Sequence, residues 1–501
     1  MEAMPSAPMT PAAVGDAQLE ADLLDSPAAG TAAIRGGVLR MAAYAAGTLL
    51  GVASAALLFR HLGVVDTGRY SLAIYLVAIV AGVSDLGLTA IGVREFSIRT
   101  GEARDSLARN LLGFRIVLTV AGVIVTVAFA AIAGYGSTTT FGVALAGTGL
   151  ILQSAQSTLV ISLISELKLG LVAAFEFLRA ALSAVLIVAL ILAGAHLLPF
   201  LAVTIPVGVV VLGLNAWALH GRTPLLPVFH TSEWWRLVRD VLPYSVAVAA
   251  ATLYFYLAVV LVSLLASQET LGYFSVSVRV IQVLLVMPGL AIGAAFPIFS
   301  RAARDDRVRL AYALGRVFEV SLLVGVLVAL CLAIGAPVAI KVVGGPKFAP
   351  AAALLSIQAI GLGASFVGAV WANGLLSLHR YREILVINLL ALVLGGGLVA
   401  LLVVLDGATG AAIATAADEV ALAVLSATAL AHADRSLAPP LRVLPVVALA
   451  AALAAASTLI QLPVLASVVL AGAVYLATVL ALGAVPEELL QQLPWRRPAT
   501  G

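Results

Sequence analysis

The sequence predicts an all-α polytopic membrane protein of about fourteen transmembrane helices, and three observations carry that prediction. Of 501 residues, 62% are hydrophobic and 11% charged, with a mean hydropathy of +1.12. So little polar surface cannot cover that much apolar side chain in water. The apolar residues come in runs of about 20, the length that crosses a bilayer's hydrocarbon. Cutting the chain at those runs leaves most Lys and Arg in every second gap or at the termini. Short basic loops stay in the cytoplasm, so this alternation means that the runs cross the membrane. The net charge of +3 and the pI near 9.1 then reflect topology and anionic headgroups, not nucleic acid.

The first 35 residues differ from the rest. Pro5, Pro8, Pro11 and Pro27, with Asp16, Glu20, Asp22 and Asp25, make an acidic Ala/Pro-rich arm, 1–35, expected to be disordered. It lacks the basic start, short apolar core and cleavage site of a secretory signal. Arg35 and Arg40 flank the first span, so the arm is expected in the cytoplasm.

Spans follow near 37–59, 70–92, 111–134, 141–163, 171–193, 197–219, 240–264, 272–296, 315–340, 349–372, 384–405, 408–430, 442–461 and 464–485. Helices 1–6 make a lobe over 36–235 and helices 7–12 a second over 236–436. A closing pair covers 437–486 and a cytoplasmic tail 487–501. With the N-terminus inside, the inner gaps hold Arg94, Arg99, Arg104, Arg109 and Arg115, then Arg222, Arg236 and Arg239. Further on they hold Arg301, Arg304, Arg307, Arg309 and Arg316, then Arg380, Arg382, Arg435 and Arg442. The opposite side receives Arg60, Arg69, Lys341 and Lys347. A miscount among the first ten spans would move every later loop to the wrong side. The closing pair is constrained less, since only a Leu-Pro joint at 462–463 divides it. Both termini are expected in the cytoplasm of a bacterial cell membrane. Trp217, Trp234 and Trp235 flank the gap after the sixth span and read as interface anchors.

The chain also repeats itself. Gly68-Arg69-Tyr70-Ser71 enters the second span and Gly272-Tyr273-Phe274-Ser275 the eighth, and the exits read Phe96-Ser97-Ile98-Arg99 and Phe299-Ser300-Arg301. Gly113 with Arg115 and Gly315 with Arg316 follow each exit. A six-helix unit contains an even number of crossings, so the copies share one orientation about an axis along the membrane normal. That is a parallel-repeat plan found among alternating-access transporters.

The stretch Arg60-His61-Leu62-Gly63 to Asp66-Thr67-Gly68-Arg69-Tyr70, then Ser84-Asp85-Leu86-Gly87-Leu88 and Arg94-Glu95, resembles the amino-terminal signature of bacterial oligosaccharide and polysaccharide flippases. These belong to the multidrug/oligosaccharidyl-lipid/polysaccharide exporter superfamily. Thr270-Leu271-Gly272-Tyr273 and Phe296-Pro297-Ile298-Phe299-Ser300-Arg301 resemble the matching signature of the second lobe. The resemblance implies transfer of a polyprenyl-diphosphate-linked oligosaccharide from the inner to the outer leaflet by alternating access. The expected partners are that lipid-linked oligosaccharide, membrane lipids, and a glycan polymerase or glycosyltransferases of the same pathway. Relatives often carry an acid midway through span seven, and Leu253 to Leu265 has none, which puts ion coupling through that position in doubt.

Ionisable side chains inside spans are the candidate site, because each costs about 2.5–3.5 kcal/mol at mid-membrane on insertion scales. Arg279 in span eight is the first candidate, as a ligand for the diphosphate or as a buried, paired arginine. Arg40, near the inner surface, binds substrate or snorkels. Asp85 is an ion-coupling candidate or a packing partner for an arginine. Glu176 and Arg179 have the spacing of a self-neutralising pair. Asp418 and Glu419 are adjacent, so at least one is expected in packing or at an interface. Gln153, Gln156, Gln282, Gln358 and Asn373 are uncharged groups suited either to sugar hydroxyls or to interhelical hydrogen bonds. Pro206 and Pro288-Gly289 interrupt spans six and eight as kinks or hinges.

Three lysines lie outside any phosphate-loop pattern and six scattered histidines form no His-Glu-x-x-His motif. No cofactor or metal is expected, and Cys331 can form no internal disulfide. Rival readings are a drug/cation antiporter or a lipid-linked peptidoglycan precursor flippase of the same superfamily, and, from another class, a membrane glycan polymerase or glycosyltransferase. The last usually needs a sizeable outer loop, and every outer gap is short.

Overall fold

The computed structural model describes residues 27–486 apart from Leu86, Leu167, Arg222, Thr223, Leu225, His230 and Pro440. For some helical residues, including Arg40, Trp235, Arg236 and Arg239, the side chain is outside the description. The helices are α1 (Pro27–Asp85), α2 (Leu88–Ile98), α3 (Gly101–Ile132), α4 (Gly136–Ser165) and α5 (Leu169–Leu192). Next come α6 (Leu197–Ala202), α7 (Thr204–Ala218), α8 (Thr231–Leu265), α9 (Gln268–Leu284), α10 (Val286–Asp305) and α11 (Arg307–Val343). The last are α12 (Ala351–Ser377), α13 (Tyr381–Leu390), α14 (Gly396–Ala433), α15 (Leu444–Ala456) and α16 (Val464–Ala481). Among the described residues there is no strand, and the protein is an all-α polytopic membrane protein.

Eleven helical stretches are long and apolar enough to cross a membrane. Two of them, Met41–Asp85 and Tyr381–Ala433, hold two spans each, divided at Gly63 and at Asp406–Gly407. With the shorter apolar helix Ala249–Leu265, the expected fourteen are recovered among the described residues. Gly63 takes φ 75°, a left-handed value that lets the chain turn from the first span into the second without the Cβ clash of other residues. Helix α1 begins at Pro27, inside the arm expected to be disordered; the rest of that arm and the tail from 487 lie outside the described residues. Helix α3 begins ten residues before the apolar run at 111, because Glu102, Arg104, Asp105 and Arg109 extend it as a polar first section.

Spans six and eight are each broken in two, at Val203 and Leu285, and Pro206 and Pro288 each fall in the first turn of the helix that follows. A first-turn N–H has no intrahelical acceptor, so proline costs little there and marks a helix start.

Packing separates the two ends of the bundle. Away from the basic loops, Leu58, Phe59, Phe200 and Val207 of the first lobe share a core with Val276, Ala336, Ile340, Phe348 and Leu355 of the second. A second joint core brings Leu72, Tyr75 and Val143 against Val259, Leu271, Phe274 and Val399. Towards the basic loops the cores are separate. Leu88, Phe96, Leu111, Phe114 and Ile161 cluster within the first lobe, and Phe318 stacks on Trp371, 4.9 Å between centroids, within the second. The closing pair docks on α11, where the Tyr475 hydroxyl donates to Leu323 O at 3.0 Å.

The repeat motifs meet at the joint end. A Cβ on Gly68 would lie 2.8 Å from Gln268 O, and one on Gly272 would lie 2.2 Å from Val64 O. The matching glycines of the two copies therefore let α1 and α9 touch backbone to backbone. At the same end the Arg60 guanidinium donates to Lys341 O at 3.2 Å and to Val342 O, at the C-terminus of α11.

Candidate functional site

With one end sealed by both lobes, a void opens among the described residues in the other half of the bundle. It has a volume of about 980 Å³ and is walled by the 41–52 stretch of α1, by Glu176, Arg179 and Ala180 of α5, and by Arg279, Gln282 and Met287 of α9 and α10. The cavity thus takes side chains from both lobes. Its walls are mostly apolar, with Arg179 and Arg279 against the single carboxylate of Glu176. Gln282, one turn beyond Arg279, accepts from the Tyr75 hydroxyl at 3.3 Å, while its buried Nε2 has no partner among the described residues.

Gln282 also lines a second, narrow pocket of about 100 Å³ within the second lobe, between α8, α12 and α14. Tyr254, Gln358, Thr415, Asp418 and Glu419 supply its polar groups. The Tyr254 hydroxyl donates to Glu419 Oε1 at 3.2 Å, and the buried Gln358 Oε1 has no partner among the described residues. A π-helical turn, Ala391–Gly395, makes room for the pair: a Cβ at Gly395 would sit 2.2 Å from Asp418 Oδ2. The adjacent acids were expected to diverge, yet both line this pocket. It is placed so that two neighbours on α14, about 100° apart, flank it.

The expected candidates separate accordingly. Arg279 and Gln282 line the central cavity. Gln153 lies in an adjoining pocket that shares Arg179 with it. Glu176 and Arg179, expected as a self-neutralising pair rather than a ligand site, both stand on the cavity wall. Asn373 is not brought there; its amide donates to Ala369 O on its own helix at 2.9 Å. The Arg40 side chain lies outside the described residues. Asp85 is absent from the cavity wall. Arg115 pairs with it and the Thr89 hydroxyl donates to it at 2.6 Å, so it packs α1 against α3. Arg115, expected in a loop, is accordingly 7% exposed. Trp234, expected as an interface anchor, packs on Phe114 with 5.3 Å between centroids; Trp217 is 79% exposed, as an anchor requires.

At the basic end, Arg104 and Lys168 fasten Glu166 at 2.9 and 2.6 Å. Burial acts to raise that carboxyl's pKa, but the hydrogen bonds and charges of Lys168 and Arg104 outweigh it and hold the carboxyl below the usual range.

Among the described residues, fourteen apolar spans form two lobes with a cavity lined by both, the architecture of a two-lobed polytopic membrane protein. The family model described as "Polysaccharide biosynthesis protein" matches residues 33–303, more than half of the 501-residue chain. The chain belongs to that family. Its fold is similar to that of "Lipid II flippase MurJ, inward closed conformation", with TM-score 0.74, 13% identity, and coverage of 90% of this chain and 100% of that one. It is also similar to an inward-facing multidrug resistance MATE family transporter of the MOP superfamily, with TM-score 0.63, 14% identity, and coverage of 80% and 98%. A third is a MOP superfamily transporter from Pyrococcus furiosus, described as having a binding pocket of reverse polarity, with TM-score 0.57, 16% identity, and coverage of 81% and 96%. Among curated proteins none matches the sequence.

Proposed function

We propose that this protein moves a polyprenyl-diphosphate-linked oligosaccharide from the inner to the outer leaflet of a bacterial cell membrane, for surface polysaccharide synthesis. One observation carries the reading: a cavity built from both lobes, with Arg279 and Arg179 on its walls, in the half of the bundle that faces the basic loops. By the positive-inside rule that half is cytoplasmic, so the structure corresponds to an inward-facing state. A sugar-and-diphosphate headgroup cannot cross hydrocarbon, because its polar groups lose water without replacement. The cavity offers it arginine donors while the lipid tail stays in the bilayer, and rocking of the lobes exposes it outside. Arginine suits the task, since its planar fork matches phosphate oxygens and stays charged.

Among the described residues, two arginines against one carboxylate on the wall disfavour a cation as cargo, which separates this reading from a drug/cation antiporter. Peptide-bearing lipid precursors share the diphosphate and are separated by substrate choice in the assay. The gaps opposite the basic loops, such as 133–135 and 193–196, are too short for the outer catalytic domain of a polymerase, and the protein acts as a carrier rather than an enzyme. We infer that the pocket of Tyr254, Asp418 and Glu419 is where an ion gradient acts, since two adjacent carboxylates line it inside an apolar span. It adjoins the cavity through Gln282, so cation or proton occupancy there changes the field at Arg279.

The test is reconstitution into vesicles with a fluorescent polyprenyl-diphosphate oligosaccharide, followed by leaflet accessibility. Transfer above that of empty vesicles is expected, and Arg279→Ala should lower it by about 10-fold or more, the loss of one charged hydrogen-bonding group. Transfer no faster than in empty vesicles overturns the reading; full transfer by Arg279→Ala removes that residue from it.

A further inference from the structure

Beside the central cavity, the first lobe holds a pocket of about 250 Å³ between α4, α5 and α7. Its polar groups are Gln153 and Gln156 of α4, Ser183 and Arg179 of α5, and Thr204 of α7. Arg179 and Ala180 line both spaces, so the pocket adjoins the cavity.

These polar groups are unusual for their surroundings. Along α4 the other hydroxyls return their protons to the helix: Ser154 to Ile151 O at 2.8 Å, Thr158 to Ser154 O at 3.0 Å, Ser162 to Leu159 O at 2.8 Å. Gln156 does not follow that pattern. It is 6% exposed and its Oε1 is buried with no partner among the described residues. Gln153 and Ser183 likewise have no hydrogen bond to a described residue, and the bond from Thr204 to Leu201 O is long, at 3.4 Å. An unsatisfied buried polar atom at membrane depth is costly, and the buried Gln156 Oε1 lines a space ringed by polar side chains of three helices. A Cβ on Gly149 would meet Thr204 Oγ1 at 2.0 Å, so α4 and α7 already touch at one wall of this space.

We propose that this pocket is a subsite for one sugar residue of the cargo, distinct from the arginine site that holds the diphosphate. The proposal rests on the flippase reading and adds to it where the first sugar goes. Amide and hydroxyl groups offer donors and acceptors together, which matches the paired donor and acceptor character of sugar hydroxyls. The Arg179 charge at the mouth stands one turn from Glu176, which leaves the pocket itself suited to a neutral polyhydroxylated group rather than a second phosphate. The free Gln156 carbonyl oxygen requires a donor, and a hydroxyl supplies one.

Two lipid probes test it, a polyprenyl diphosphate carrying a single hexose and the same lipid without sugar, with affinities measured on the purified full-length protein. Wild type should bind the glycosylated lipid about 10-fold more tightly, the worth of one or two well-made hydrogen bonds. Gln156→Leu, and independently Ser183→Leu, which fills the void from another helix, should bring the ratio of the two affinities close to one. Arg279→Ala should weaken both probes alike and preserve the ratio. A ratio near one in wild type, or a ratio unchanged in both pocket variants, overturns the subsite and marks the pocket as a water site. Binding of neither lipid by wild type overturns the flippase reading itself.

Discussion

Arg60→Ala should shift the protein away from the conformation described above. The Arg60 side chain belongs to the first lobe, and its guanidinium donates to Lys341 O and Val342 O of the second. Those carbonyls end α11, where they lack intrahelical donors and carry the negative end of the helix dipole. Opening the bundle at this end must break both bonds. Hydrogen bonds from a charged donor contribute roughly 1.5–3 kcal/mol when desolvated. Arg60 is exposed, so screening reduces the pair to about 1–2 kcal/mol, a change of roughly 5- to 30-fold in the ratio of the two states. Spin labels at Val65→Cys and Lys347→Cys, on a Cys331→Ser background, report the separation of the lobes at this end. The longer-distance population should grow by that factor in Arg60→Ala and by less in Arg60→Lys, which keeps charge but loses the fork. Identical distance distributions for wild type and Arg60→Ala would refute the latch.

Gly272→Val should open the same end by a steric route, since even its Cβ would lie 2.2 Å from Val64 O; the same labels should show the short-distance population depleted. Arg115→Leu strands Asp85 beside Thr89. It should lower stability by about 3 kcal/mol, the lower end for a broken buried pair because Asp85 is part-exposed, and adding Asp85→Asn should restore most of the melting temperature in detergent. A melting temperature that the second change fails to raise would argue against the pairing. Glu419→Gln should leave counterflow without a gradient in place while abolishing any acceleration by an imposed proton or sodium gradient; a variant that still responds to the gradient would place coupling elsewhere.

Much of the architecture is legible because the bilayer makes it so. A span must be apolar for about 20 residues and a basic loop must stay on one side, and both requirements act on local sequence. The repeat was legible for the same reason, as matching residues at matching crossings. Side-chain pairing was not. Asp85 and Arg115 are separated by 30 residues and the intervening helix α2, and nothing in either neighbourhood names the other. Asp418 and Glu419 looked incompatible because neighbours on a helix diverge; the pocket between α8, α12 and α14 takes both, with a π-helical turn and Gly395 clearing the space. An adjacent acid pair in an apolar span was itself the available signal.

The sequence by itself determined the fold class, the count of crossings and the two-lobe repeat, since each follows from hydropathy, charge and order along the chain. Tertiary structure decided which polar groups face a cavity and which face each other. It set Asp85 into packing, Glu176 and Arg179 onto the cavity wall, and the matching glycines, Gly68 and Gly272, at the contact between lobes. The physical reason is that insertion depends on one helix at a time, whereas a cavity is the space left where several helices fail to meet, and that depends on all of them together.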